Sequence, residues 1–150
     1  MKISLEKADF SHLSLVYVWA NDPQTRKSSF NTEEISLEDH TKWYTEKMES
    51  STCEILIMYT DEIPVGQIRA EYEVDHLLIS YSIDKTYRGQ GYGKLLLKLF
   101  EEYIMTEKDL KTTIVGKVKY DNIPSIKAFE ANGYVRQEYE DHIVFAKSLK

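Results

Sequence analysis

One stretch of this chain, Tyr87-Arg88-Gly89-Gln90-Gly91-Tyr92-Gly93-Lys94, has the composition of an anion cradle. Glycine loses more backbone freedom on folding than any other residue. Three of the six glycines nevertheless fall within five residues here, between an apolar run and the strongest amphipathic helix pattern in the chain. They could serve only to shape a strand-to-helix turn. Missing side chains also let a ligand reach the backbone, and successive N–H groups at a helix N-terminus form an anion nest reinforced by the helix dipole. Arg88 and Lys94 add charge, and a pyrophosphate is the natural occupant. Two common nucleotide cradles are excluded. The spacing Gly89-x-Gly91-x-Gly93 is not G-x-G-x-x-G, and no Gly-Lys-Ser/Thr triplet marks a P-loop.

The other chemistry-bearing residue types are sparse. Cys53 is the single cysteine, so no intrachain disulfide is possible, and its simplest place is a small buried strand position. His12, His40, His76 and His142 have no partners at ligand spacing, and no metal is expected. The formal charge of -6 argues against a nucleic-acid surface but not against a small anion held by backbone N–H groups. The N-terminal residues lack a signal-peptide pattern, and no apolar run reaches membrane-span length, so no membrane partner and a cytoplasmic location are expected. The clusters Glu101-Glu102 and Glu138 to Asp141 read as solvated faces.

A chain of 150 residues with 42% apolar and 12% aromatic content should bury one core and form one domain, residues 1–150. Residues 2–6 read as a strand, and Leu13, Val16, Tyr17 and Ala20 give helical spacing from about Ser11 to Ala20. Asn21-Asp22-Pro23 ends that helix, and a polar stretch follows to Glu34. Ser36 to Asp39 resembles a capping box for a helix carrying Leu37, His40, Tyr44 and Met48 on one face. Glu54–Tyr59, Val65–Tyr72 and His76–Ile83 read as a three-stranded meander. The helix with Tyr92, Leu95, Leu96, Leu99, Phe100 and Tyr103 comes next, then a strand at Thr112–Val118. Pro124 opens a last helix, which Asn132-Gly133 stops before a final hairpin at Tyr134–Tyr139 and Ile143–Lys147. The order β-α-α-β-β-β-α-β-α-β-β predicts an α+β fold, a mixed sheet with helices against it.

Arg88, Gly91 and Gly93 fit R-x-x-G-x-G, which resembles the acyl-CoA signature of the GCN5-related N-acetyltransferase (GNAT) superfamily. A second segment also resembles it: Asn122-Ile123-Pro124-Ser125, then Ala128-Phe129, then Gly133-Tyr134. The element order matches over essentially the whole chain. The resemblance implies a mostly antiparallel, twisted sheet of six or seven strands with about four helices and a V-shaped splay between two central strands, the one ending at Ile83 and Thr112–Val118, often helped by a bulge. It implies acetyl-CoA as donor, the diphosphate on Arg88 to Lys94 and the pantetheine beside Ser82 and Ile83. Asn122, Ser125 and Phe129 would flank its far side, and a backbone N–H near Ile83 would polarise the thioester. An amine attacks directly, so Cys53 is not needed. Glu71, with Glu73 and Asp75, supplies the nearest acidic candidates for a base. Many superfamily members place an acid tyrosine where this chain has Phe129; Tyr134, another tyrosine or water then protonates the thiolate, or the thiolate leaves unassisted.

For the acceptor, Trp19-Ala20-Asn21-Asp22-Pro23 with Arg26 resembles a pattern of two branches, one acetylating ribosomal-protein N-termini and one acetylating nucleotide-linked amino sugars. His40-x-x-Trp43-Tyr44, residues 65–69, residues 79–83 and Ser125 to Glu130 resemble the sugar branch. Trp19 and Trp43 could stack on a ring and Arg26 and Arg69 could hold a diphosphate, or the tryptophans could be core and the arginines surface. The expected partner is a small-molecule amine, a nucleotide-linked amino sugar of surface-polysaccharide synthesis, with the enzyme a monomer or homodimer. A protein N-terminal acetyltransferase, or a non-catalytic acyl-CoA sensor or interaction module, are the alternatives.

Overall fold

The computed structural model describes residues 1–149 as one seven-stranded sheet in the order β1-β2-β3-β4-β5-β7-β6. The strands are β1 (Ile3–Lys7), β2 (Cys53–Thr60), β3 (Ile63–Tyr72), β4 (His76–Ile83), β5 (Thr113–Val118), β6 (Val135–Glu138) and β7 (Ile143–Ser148). The helices are α1 (Leu13–Ala20), α2 (Pro23–Ser28), α3 (Leu37–Glu49), α4 (Tyr92–Thr106) and α5 (Ile123–Ala131). Every strand pairing is antiparallel except β4 with β5. Parallel strands need a crossover, and α4 supplies it.

Alternation along the strands divides the molecule into two layers. Leu56, Met58, Ile68, Ala70, Leu77 and Ile79 face α4 and α5, where Leu96, Leu97, Phe100 and Ile104 close the main core. The other face of β2 carries Ile55 and Ile57 against Val16 and Trp19 of α1 and Tyr44 of α3. Asp61 and Glu62, both at positive φ, make the tight β2–β3 turn. Burying an apolar side chain of this size contributes about 1.5–3 kcal/mol, so the two clusters fix the sheet and the helices around the site.

Three local features depart from the sequence expectations. The stretch after Asp22 contains α2, a helix with no buried residue, so five helices surround the sheet. It has no apolar period to reveal it, and rests on Pro23 in its first turn and on Asp22, whose carboxylate accepts from Thr25 N–H at 3.1 Å. Ser36 caps α3 by accepting from Asp39 N–H at 3.1 Å, while the reciprocal capping box lies at Asp9 and His12. The sheet's bulge lies between Met58 and Tyr59 of β2, whereas β4 runs in unbroken register with β3.

Candidate active site

The central feature is a pair of parallel strands that stop pairing halfway. β4 and β5 are bonded only from His76/Thr113 to Ile79/Gly116, although β4 continues to Ile83 and β5 to Val118. The main chain of Ser80 to Ile83 therefore has a partner on one side only. The register says which groups are left. Asp84 N–H donates to Val65 C=O and Glu73 N–H to His76 C=O, and both pairs belong to the β3–β4 ladder. Bonded pairs alternate in an antiparallel ladder, so even-numbered β4 residues turn their main chain to β3 and odd-numbered ones turn theirs to the gap. Tyr81 thus presents N–H and C=O to the gap, and Ile83 presents N–H. Ser82 is committed to β3, and its hydroxyl accepts from Gln67 at 3.1 Å.

The glycine turn lies just beyond the open end of this gap. Gly89 and Gly91 have φ of 76° and 84°, a region that favours glycine, and the direction in which each would bear a side chain is open for 4 Å. Gly91 occupies the N-cap position of α4 and, having no side chain, leaves the first N–H groups of the 15-residue helix uncapped. The N–H groups of Tyr92, Gly93 and Lys94 point outward from that turn. Gly93 has a different task, since a Cβ there would sit 3.4 Å from the Tyr81 ring. Gln90 folds back to Thr86 C=O at 3.5 Å, Tyr92 packs edge-on against Tyr87, and the exposed Lys94 lends its carbonyl to Asn132.

Arg88 does not turn its guanidinium to the nest. Its Nε donates to Ile83 C=O at 3.1 Å, and its Nη2 donates to Asp22 Oδ2 at 2.6 Å and to Thr25 Oγ1 at 3.2 Å. Burial raises the Asp22 carboxyl pKa, but Arg88 and Thr25 N–H outweigh it and hold the group below its ordinary range.

On the α5 side of the gap, Asn122 caps the helix by accepting from Ser125 N–H at 3.3 Å. The buried Ser125 hydroxyl accepts from Tyr81 O–H at 3.0 Å. Burial pushes the Tyr81 phenol up to about 12, so it keeps its proton at neutral pH. Phe129 is 2% exposed, stacked on Phe145 at 5.0 Å and edge-on to Tyr134 at 4.9 Å. Tyr134 is buried too; burial and neighbouring Glu101 push its pKa up, and among the described residues no partner stands in good hydrogen-bond geometry to its hydroxyl. Glu101 answers to Lys147, at 2.6 Å, from the middle of α4. Tyr134 therefore lies in the core layer, and a different tyrosine, Tyr81, which sequence reasoning did not name, holds the hydroxyl beside the gap.

The opposite face of the sheet forms a polar trough. Gln67, Arg69 and Glu71 of β3 and the exposed Ser80 of β4 make its floor, with Trp43 and Lys47 of α3 along one wall. The hydrogen bond from Lys47 is the main influence on Glu71, and the carboxyl sits below its ordinary range. Glu71 is thus an anion at neutral pH and a weak base. Cys53 also borders this face, and burial raises its thiol pKa.

The four arginines divide sharply. Arg26 donates to Ala20, Asn31 and Glu33 carbonyls and to Ser29 Oγ, so its fork knits the turn around α2. Arg88 is held as above, and Arg136 pairs with Glu130 and Glu138. Half-buried Arg69 lies over the Trp43 ring at 5.1 Å and has no hydrogen bond or ion pair among the described residues. Trp19 is 4% exposed and donates to Asp84 at 2.8 Å, which places it in the core with no ring face open to a ligand. Among the described residues no cluster of three metal-binding side chains occurs, and no helix is long and apolar enough to cross a membrane.

The family model described as "Acetyltransferase (GNAT) domain" matches residues 2–135. The uncharacterized N-acetyltransferase YfmK of Bacillus subtilis is 26% identical over 101 residues, 66% of either chain, so the match spans just under two thirds of that relative. Among solved structures, the ribosomal L7/L12 alpha-N-protein acetyltransferase RimL, in complex with coenzyme A, superposes with a TM-score of 0.83 at 16% identity, over 99% of this chain and 95% of that one. The Campylobacter jejuni N-acetyltransferase PseH, in complex with acetyl coenzyme A, gives 0.76 at 15% identity, over 99% and 100%.

Proposed function

Since the chain belongs to the GNAT acetyltransferase family and is an acyltransferase, we propose that it transfers acetyl from acetyl-CoA to a primary amine borne by an anionic small molecule, a nucleotide-linked amino sugar. The observation that carries the donor half is the coincidence of an unpaired β4 edge with an uncapped helix N-terminus at its open end. The donor supplies an activated acetyl thioester when bound. The N–H groups of Gly89 to Lys94 would receive its diphosphate, and Tyr81 N–H, Tyr81 C=O and Ile83 N–H would pair with the pantetheine amides as an added strand would. A gap-facing N–H of β4 would polarise the thioester carbonyl, where negative charge grows as the amine attacks. Asn122 and Ser125 border the same gap from α5.

The amine arrives from the trough. Glu71, kept anionic by Lys47, orients the ammonium form and passes the released proton toward solvent. Tyr81 with Ser125 takes the acid role on the departing sulfur in preference to Tyr134, whose hydroxyl is sealed beside Glu101. Arg69 is the acceptor's anchor. A half-buried guanidinium over the Trp43 ring, which Glu71 feels but does not bond, keeps its donors available for phosphate. Arg26 and Trp19 serve the acceptor through the shape of the α1–α2 corner.

The test is thiol release across UDP- and dTDP-linked amino sugars, polyamines and N-terminal peptides. An arginine–phosphate contact contributes roughly 1.5–3 kcal/mol, so Arg69→Ala should raise KM for the charged acceptor by about 10- to 100-fold and leave acetyl-CoA affinity alone. Arg26→Ala should lower Tm. Efficient peptide acetylation with no sugar turnover would reject the sugar acceptor.

A further inference from the structure

The arginine of the donor turn reaches the wrong ligand for a diphosphate contact. Arg88 lies one residue before Gly89, yet its guanidinium spans from Ile83 C=O, at the rim of the gap, to Asp22 and Thr25 at the head of α2. What it holds is weakly held otherwise. α2 has six residues and none is buried, so apolar packing does not fix it. Its other ties are also polar: Arg26 to Ala20 C=O at 2.7 Å, and Lys119 Nζ to Lys27 C=O at 3.1 Å from beyond the end of β5. α2 is therefore slung from the β4 side of the gap to the β5 side, with Arg88 as one mooring and Lys119 as the other. Asp22 follows directly from the α1 end, which with Trp19 and Asp84 forms the same corner.

We propose that Arg88 is a positioning residue that transmits donor occupancy to the acceptor side: a diphosphate on the 88–94 turn fixes the Arg88 main chain, and Arg88 then orders α2 and the loop behind it. Coupling between sites is reciprocal, so a bound acceptor tightens the donor by the same factor. The inference rests on the donor reading given above.

Hydrogen–deuterium exchange with and without acetyl-CoA tests it, with Asp22→Asn beside the parent protein. Asparagine keeps the N-cap and its bond to Thr25 N–H but removes the charge that Arg88 answers. In the parent, acetyl-CoA should slow exchange in residues 88–94 and, by at least about fivefold, the low end of ordinary site coupling, in residues 23–29. In Asp22→Asn the first effect should stay and the second should vanish. Arg88→Gln should give the same separation and serves if Asp22→Asn is poorly folded. Equal protection of α2 in parent and variants, or none in the parent while the turn is protected, would overturn the coupling and leave the donor site standing. No protection at either segment would overturn both, and is distinguishable because the turn itself then fails to respond.

Discussion

Gly116→Ala is the sharpest test of how the gap is built. Gly116 is the last β5 residue paired with β4, so it sits at the apex where the strands part. A Cβ at this position would lie 2.5 Å from Phe129 Cζ and 3.0 and 3.3 Å from its two Cε atoms. An ordinary contact begins near 3.4 Å, so the ring must retreat by 3.4 minus 2.5, about 0.9 Å. The ring has little freedom: it is 2% exposed, stacked on Phe145 at 5.0 Å, and met edge-on by Tyr134 at 4.9 Å and Tyr81 at 5.9 Å. Overpacking of this kind costs about 1–3 kcal/mol. Replacing glycine also removes freedom from the unfolded chain, a gain of about 0.4–1 kcal/mol. The net loss should be about 1–2 kcal/mol, or roughly 2–8 °C in Tm for a chain of this size. Denaturant unfolding of Gly116→Ala, Phe129→Leu and the double variant closes a cycle. With leucine at 129 the methyl has room, so Gly116→Ala in that background should be neutral or stabilising. Additive effects, or a stabilised Gly116→Ala single variant, would refute the contact and with it the view of Phe129 as the wedge behind β5.

Gly91→Glu should abolish coenzyme A binding by calorimetry in a folded protein, because it forces a side chain onto a φ of 84° and sets a carboxylate at the head of the nest; unchanged affinity would remove the nest from the donor site. Tyr81→Phe should slow turnover by at least about tenfold with acetyl-CoA KM little changed, while Tyr134→Phe should leave turnover within about twofold; the reverse order would return the acid role to Tyr134. Stability should fall on mild acidification through His40. Burial holds its imidazole below the ordinary 6.5 while it hydrogen-bonds Leu13 C=O, so the unfolded chain takes up a proton that the folded one refuses. The sign makes unfolding easier as pH drops through 6.5, by at most about 1 kcal/mol between pH 6.5 and 5.5. A flat denaturation midpoint across that window, or an NMR titration of His40 at its ordinary value, would contradict its neutral burial.

The turn and helix cap of the proposed donor site were legible because their signals are costly residues. Gly89 and Gly91 are tolerated only where positive φ is required, and Asn122-x-Pro124 before an apolar helix face marks a cap and a first turn. Periodicity located every strand and four of the five α-helices, since Leu56, Met58, Ile68 and Leu96 must face one layer. It was blind to α2, whose sequence Pro-Gln-Thr-Arg-Lys-Ser has no apolar face; the forces that hold it are an N-cap, an ion pair to a residue 66 positions away and a hydrogen bond from Lys119, 92 positions away.

The same blindness explains the arginines. Arg26, Arg69 and Arg88 look alike in sequence, each near an aromatic or a motif, and each was a reasonable phosphate ligand. A guanidinium carries five donors, and which anion it serves depends on what the fold leaves within reach. Around Arg26 the chain offers three backbone carbonyls, and around Arg88 it offers the Asp22 carboxylate and Ile83 C=O. Around Arg69 it offers an indole face, which stabilises the cation without neutralising it. Glu71 feels that charge without bonding to it, so under the proposed acceptor reading a phosphate entering the trough would find the guanidinium's donors unbonded. The proposed acceptor site is therefore marked less by where positive charge occurs in the sequence than by the one arginine that makes no hydrogen bond or ion pair among the described residues.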